Sequence, residues 1–428
     1  MSALEFEKAM EFINNCKDSI KDLYQKGKDF YDKHENKFKN AKRIASGFQG
    51  AGEIIGGILK FIPEKDPQDA LVKNLVELEA NVKELSEKLT ENFAEMKNFI
   101  SEQAFFTHIV SPTGVLTRLM RDCLTFPGDE SKEDFVKAYQ TMKPLRLQYE
   151  LNGYLKKKTT NPLRLNMDSE KVKTRATFEK WEDIYCRVMA QFMLLEAFAG
   201  GLTGKKSEVN IDRMIEAASE VLDVIDLWRE EYKKDQEYWA DFKTFLKPYM
   251  EANAELSHEQ KAEVVGARLS NYLTRDAFYM VIFKEAEWQQ DYSYYCPNEG
   301  ELITGAWNGA AKCNIFVYRS RTCYQKNTDD YKVIRNKFVS SYGRLKWKGS
   351  HTLPWIIRDD LVNTHVLPSD GIIALIFEKL EPKIYYFNHM EHEWHKGPGH
   401  AGQVYMDFGK WKPEGDNKEY MQMIVSFP

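Results

Sequence analysis

Apolar positions recur at three- and four-residue steps through most of the first two thirds of the chain. From Ala70 to Phe106 the series Leu71, Leu75, Leu78, Val82, Leu85, Leu89, Phe93, Met96 and Ile100 has Glu and Lys between its members, the pattern of a helix with one apolar face. At about 1.5 Å per residue such a helix spans roughly 50 Å, the length of a bundle or coiled-coil stalk. Pro67 and Asp69 mark its start, Pro112 and Gly114 its end. A looser series, Phe6, Met10, Ile13, Ile20, Leu23, Tyr24, Phe30, Tyr31 and Phe38, predicts an amphipathic helix from Glu5 to Phe38. Helical periodicity also covers Ser131 to Leu155, Thr177 to Ala199, Asn210 to Tyr249 and Ser257 to Glu287. Gly200, Gly201 and Gly204 form a break, and Ser257-His258-Glu259-Gln260 has the pattern of a capping box.

After about Asp291 the pattern changes. Short β-branched and aromatic runs, Asn314 to Tyr318, Tyr331 to Ser340, Gly371 to Phe377, Lys383 to Phe387 and Met421 to Ser426, are separated by Pro, Gly and Asn, which predicts strands. The expected fold class is therefore α+β: an elongated N-terminal α-helical bundle over residues 1–290, then a β-rich C-terminal recognition domain over 291–428.

One stretch breaks the amphipathic rule. Ile44 to Ile62 holds nineteen residues with only Glu53 and Lys60 charged. As a helix it would rise about 28 Å, against about 30 Å for a hydrocarbon core. Five glycines cost roughly 1 kcal/mol each in helix propensity, and Glu53 adds about 2 to 3 kcal/mol to insertion. The glycines permit close helix approach instead, since Ser46 and Gly50, Gly47 and Ala51, and Gly52 and Gly56 are small pairs four residues apart. Two readings stay open. In one the segment is a core helix or hairpin that admits a neighbouring helix. In the other it is shielded in solution and enters a bilayer when the bundle opens. Gly47, Gly50, Gly52, Ile54, Ile55, Gly56, Gly57, Ile58 and Leu59 are then the inserting residues, with Lys42, Arg43, Lys60 and Lys65 on anionic headgroups. A second apolar run, Val188 to Thr203, carries only Glu196 and reads as a core helix.

An amphipathic helix, a basic turn, a Gly-Ala-Ile-rich segment ending at Pro63 and a leucine-heptad helix of the style Val76-Glu-Leu-Glu-Ala-Asn-Val-Lys-Glu-Leu-Ser-Glu-Lys-Leu together resemble two related groups. These are the Rapunzel-like proteins of animals and the helical toxins of cnidarians and cephalopods, jellyfish toxin and cephalotoxin among them. The likeness covers Ala41 to Glu287. It implies a helical bundle similar to the pore-forming domain of insecticidal crystal toxins, which lyses membranes by insertion; the Rapunzel-like branch implies no defined activity.

Composition and chemistry narrow the reading. Sixty basic against 65 acidic residues give a net charge of −5, which excludes a surface that tracks nucleic acid throughout and leaves any basic partner site local. Met1-Ser-Ala-Leu-Glu-Phe-Glu-Lys lacks the apolar core of a signal peptide. That departs from secreted toxins and predicts a soluble, cytosolically made chain, later released or membrane-associated. Six cysteines are too few for a disulfide scaffold, and reduced thiols are expected, although Cys313 and Cys323 could pair after export. Phosphate-binding glycine loops, nucleophile elbows and His-Glu-x-x-His helices are absent from the sequence, so neither enzyme nor cofactor is expected. His389, His392, His395 and His400 lie in twelve residues with Glu391 and Glu393 and could supply nitrogen and oxygen ligands for zinc or copper; their spacing matches no known site, so a surface loop is the default and a metal or pH-responsive site the alternative. Lys156 to Lys158 reads as a solvated loop. Most C-terminal aromatics read as core, while Trp394 and Trp411 in loops could bind a sugar or lipid headgroup. The functional expectation is a pore-forming, defence-type protein that oligomerises on lipid membranes and meets a receptor or glycan through its β-rich domain. The alternative is an intracellular oligomeric interaction protein without lytic activity.

Overall fold

The computed structural model describes residues 105–126, 128–203, 208–234, 237–286, 291–306, 309–321, 328–342, 354–364, 371–388, 393–397, 402–410 and 418–426. It is an α+β fold with helices preceding antiparallel sheets. The chain divides into two compact units, Met1–Glu231 and Tyr232–Pro428.

In the first unit the described helices are α1 (Ser111–Thr125), α2 (Asp129–Thr141), α3 (Pro144–Lys156), α4 (Pro162–Ser169), α5 (Arg175–Thr203) and α6 (Glu208–Tyr232), with a π-helical turn, Phe106–Val110, leading into α1. The block expected from Ser131 to Leu155 is two helices. Pro144 has no N–H to continue α2, and it opens α3 at a position where that N–H is not needed. Helix α5 runs 29 residues and packs against α1, α2, α3 and α4. Every residue from 191 to 202 is buried, so the expected core helix is present. It continues through Gly200 and Gly201, where a break was expected. Both glycines are buried, and packing on all sides offsets their low helix propensity.

The second unit opens with α7 (Tyr238–Ala252) and α8 (His258–Ser270) and continues through β1 (Ala277–Phe283), β2 (Tyr292–Tyr295), β3 (Leu302–Ala306), β4 (Asn314–Ser320), α9 (Thr328–Tyr342), α10 (Pro354–Thr364), β5 (Ile372–Phe377), β6 (Lys383–Asn388), β7 (Glu393–Lys396), β8 (Gly402–Lys410) and β9 (Lys418–Ser426). The capping box forms: Ser257 Oγ accepts from the Gln260 N–H at 3.2 Å, and Gln260 Oε1 accepts from the Ser257 N–H at 3.1 Å. Two antiparallel sheets result, in the orders β3-β4-β1-β6-β7 and β2-β5-β9-β8.

Alternation along the strands sets the layers. Tyr279, Val281 and Phe283 of β1, with Phe316 and Tyr318 of β4, meet Ile372, Ala374 and Ile376 of β5 in one core between the sheets. On the far side of the first sheet, Phe278 stacks on Trp239 of α7 at 6.1 Å. On the far side of the second, Ile373, Leu375, Met421, Met423 and Val425 pack on Ile334 and Phe338 of α9 and Ile357 and Leu361 of α10. The unit is a four-layer α/β/β/α sandwich.

Two expectations are corrected here. The helix expected over Ser257 to Glu287 ends at Ser270, and Ala277–Phe283 is a central strand, buried on both faces and so without a period-two pattern. The strand expected over Tyr331 to Ser340 is helix α9, whose buried residues, Ile334 and Phe338, are four apart. The composition changes near residue 291, whereas the compact units divide after Glu231. Helices α7 and α8 lie on the sheet side of that division because Trp239 of α7 covers Phe278 and α8 packs along β1.

Candidate functional site

The residues expected to insert, Gly47, Gly50, Gly52, Ile54, Ile55, Gly56, Gly57, Ile58 and Leu59, lie outside the described residues, as does the leucine-heptad helix before Phe105. No helix among the described residues is long and apolar enough to cross a membrane. Of the histidine cluster, His389, His392 and His400 also lie outside them. His395 sits on β7 with its ring stacked on Tyr386 at 5.0 Å. No three His, Cys, Asp or Glu among the described residues are placed to hold a metal ion. Trp411 and Cys323 are outside the described residues, and Cys313 is a free thiol. Lys156, expected as a solvated basic loop residue, pairs with Glu220 at 2.8 Å.

Trp394 is not an exposed loop residue. Its place on β7 sets it opposite Phe387 of β6, with ring centroids 5.5 Å apart. Its indole lies over Gly266 of α8, where a Cβ would come within 3.2 to 3.3 Å of ring atoms. A glycine at this position is what lets the edge strand close against the helix.

The densest buried charge in the second unit centres on Arg319, at the end of β4. Its guanidinium is paired with Glu301, lies 3.8 Å from Asp276 and donates to Tyr238 Oη at 3.4 Å. The rings of Trp239 and Tyr238 flank it at 4.9 and 5.6 Å. Arg321 adds a second bond to Glu301 at 2.8 Å, Tyr238 donates to Asp276, and the Trp239 indole N–H donates to the Gly300 carbonyl at 2.8 Å. Burial pushes the Asp276 carboxyl up to about 6, Arg319 and Arg321 pulling it down and Glu301 adding to the rise. No spacing in the sequence announces this group, because its members come from α7, the loop before β1, the turn before β3 and the end of β4.

The first unit holds two comparable groups. Glu182 of α5 is paired with Arg229 of α6, which also bonds Asp226 at 2.5 Å and lies over the Phe178 ring at 5.2 Å. Burial raises the Glu182 carboxyl to about 7 against the pull of Arg229. Two residues on, Arg164 of α4 grips Glu231 through two bonds of 2.7 and 2.8 Å and lies 5.8 Å from the Trp228 ring. Further along α5, Glu196 accepts from Tyr139 of α2 at 2.8 Å and from Asn210 of α6 at 2.7 Å.

These groups bind helices and strands together. The Arg319 guanidinium is already engaged by the Glu301 and Asp276 carboxylates and by the rings of Trp239 and Tyr238. Burial pushes the thiols of Cys186 and Cys313 up, and that of Cys123 to about 11, so they remain protonated.

A family model described as a protein of unknown function, DUF684, matches residues 73–411. The chain belongs to the DUF684 family. No curated protein and no solved structure matches it. The DUF684 match takes in every described element from α1 to β8, including the Arg319 and Glu182 groups, and starts after the apolar segment ends at Ile62.

Proposed function

We propose that this DUF684 chain acts on lipid membranes without catalysis, its helical part supplying a conditional insertion segment and its sandwich unit supplying recognition. The observation that carries the reading is Ile44 to Ile62: nineteen residues, two charges, and small residues at the four-residue spacing that packs helices in lipid. The buried ion groups support it, since they read as ties that hold the two units folded rather than as reaction centres.

Release of a trapped dye from liposomes at neutral and acidic pH tests this, using the wild type and Gly52→Leu and Gly56→Leu variants first shown to melt like it. Leakage by the wild type, lost in both variants, is the expected result. No leakage from any lipid composition would retire the reading, and undiminished leakage in both variants would reject the packing mechanism.

A second reading, an oligomeric interaction protein, is favoured by the start of the family match at residue 73. What is common to DUF684 then lies in the heptad helix and the two units, without the apolar segment. On this reading Gly52→Leu lowers stability by overpacking, and there is no leakage to lose.

A further inference from the structure

We propose that Thr159, at the tip of the turn between α3 and α4, is a phosphorylation site for a basic-directed serine/threonine protein kinase. Lys156, Lys157 and Lys158 stand immediately before it, and all four residues are exposed. Kinases of this class select substrates by charge, through acidic pockets that receive basic residues two and three positions before the acceptor hydroxyl. Among the described residues the one ion-pair partner of the lysine run is Glu220, 2.8 Å from Lys156.

The sequence nominates several hydroxyls, and the structure separates them. Thr160, Thr174 and Ser340 also have a lysine three positions before them, Lys157, Lys171 and Lys337. Each is engaged. The Thr160 hydroxyl donates to the Tyr154 carbonyl at 3.1 Å. Thr174 bonds Thr177 at 2.9 Å and Glu170 at 3.3 Å. Ser340 lies within α9 and donates to the Lys337 carbonyl at 3.1 Å. The Thr159 hydroxyl has no hydrogen-bond partner among the described residues.

A kinase reads its substrate as an extended strand, so the turn must open. It is closed by the Thr160 and Asn161 N–H groups, which donate to the Lys157 carbonyl at 3.2 and 3.0 Å. Opening it uncovers no core side chain, because burial resumes only at Asn161. Asn161 is fixed by its own bonds, to the Leu155 carbonyl at 2.9 Å and from the Arg164 N–H at 3.2 Å, so α4 stays seated. The Lys156 pair with Glu220 is more than half exposed on both sides and gives way easily. The γ-phosphoryl group of MgATP then passes to Thr159 Oγ1: its bond to the ADP oxygen breaks, ADP leaves, and the hydroxyl proton goes to the kinase's catalytic carboxylate. The product adds a charge of about −1.5 to −2 beside three lysines, which offers Lys156 a partner in place of Glu220. This site stands apart from Ile44 to Ile62 and from the membrane reading.

The test is incubation of the full folded chain with MgATP and the catalytic subunit of the cyclic-AMP-dependent kinase, followed by intact-mass measurement and peptide mapping. One phosphoryl group per chain, on Thr159, is the expected result. Thr159→Val should lose it and Thr160→Val should keep it. Lys157→Gln with Lys158→Gln should lower kcat/KM for phosphorylation about tenfold, two charge pairs at roughly threefold each. Each variant is first shown to melt like the wild type. Phosphate mapped elsewhere with Thr159 bare, uptake undiminished in Thr159→Val, or an unchanged kcat/KM in the double-lysine variant would overturn the proposal. So would uptake seen only after unfolding in urea, or no uptake at all.

Discussion

Removing Arg319 should damage the second unit more than any exposed substitution, and the structure says by how much. Arg319→Met keeps much of the side-chain length between the Trp239 and Tyr238 rings but takes away the cation. Glu301 then retains Arg321, which is 57% exposed, and a long 3.5 Å bond from the Asn298 amide, while Asp276 keeps the Tyr238 hydroxyl and the pull of Arg321. A buried carboxylate deprived of its partner costs about 3 to 5 kcal/mol. Loss of the cation from two ring faces adds about 1 kcal/mol. Asp276→Asn should cost far less, on the order of 1 kcal/mol, because the amide oxygen still accepts from Tyr238 and no charge is left unpaired. Because the chain has two units, the measurement should be local: native-state hydrogen exchange of the β1, β3 and β4 amides, beside urea unfolding. The expected result is a large loss of protection in Arg319→Met and a small one in Asp276→Asn. If Arg319→Met exchanged within 1 kcal/mol of wild type, the group would be an ornament on an already stable sheet and the reasoning above would fail.

Other outcomes follow from single contacts. Glu182 and Asp276 have folded values, about 7 and about 6, above those of free carboxyls. The folded state therefore holds protons that the unfolded chain releases. Their contribution is full below the free values near 4 and is lost as pH rises through 6 and 7, whereas His258, whose value burial lowers, works in the opposite sense over the same window; in a His258→Gln background the melting temperature should therefore fall between pH 5 and 8, and a rise would contradict the assignment. Gly266→Val should push Trp394 off α8 and cost about 1 to 3 kcal/mol, read as a changed near-ultraviolet circular dichroism signal; an unchanged signal and melting point would mean that β7 gives way freely. Phe338→Ala should cost about 3 to 5 kcal/mol as a cavity in the layer over the second sheet, whereas an outward residue such as Ser340→Ala should cost almost nothing. Equal melting points for those two variants would argue against the helical register of α9.

What could be read from the sequence was whatever repeats locally. The α5 core run, the Ser257 cap, and strands β4, β5, β6 and β9 all carry their signal within a few residues. Strand β1 and helix α9 misled for opposite reasons. Ala277–Phe283 is apolar throughout because helices cover one face and a second sheet the other. The valine and aromatic content of Tyr331 to Ser340 imitates a strand, although its buried pair is spaced for a helix. The ion groups were illegible because they are products of topology. Arg319 and Asp276 stand 43 positions apart and meet only once β1 and β4 pair, with Ala277 opposite Ser320. The half-buried setting of Trp394 depends in the same way on a glycine 128 positions earlier.

Helix α5 carries a consequence for how this chain can be taken apart. A helix with residues 191 to 202 enclosed on every side has no surface it could show to water by itself. It must be completed by segments both before it, α1 to α4, and after it, α6. A fragment that starts after α4 or stops before α6 would leave that apolar cylinder bare and would be expected to aggregate rather than fold. Dissection by truncation is therefore closed off within the first unit, and point substitutions at its rim are the usable tool. By the same token, a protease cut inside this unit would act as an all-or-none inactivation rather than a graded trimming.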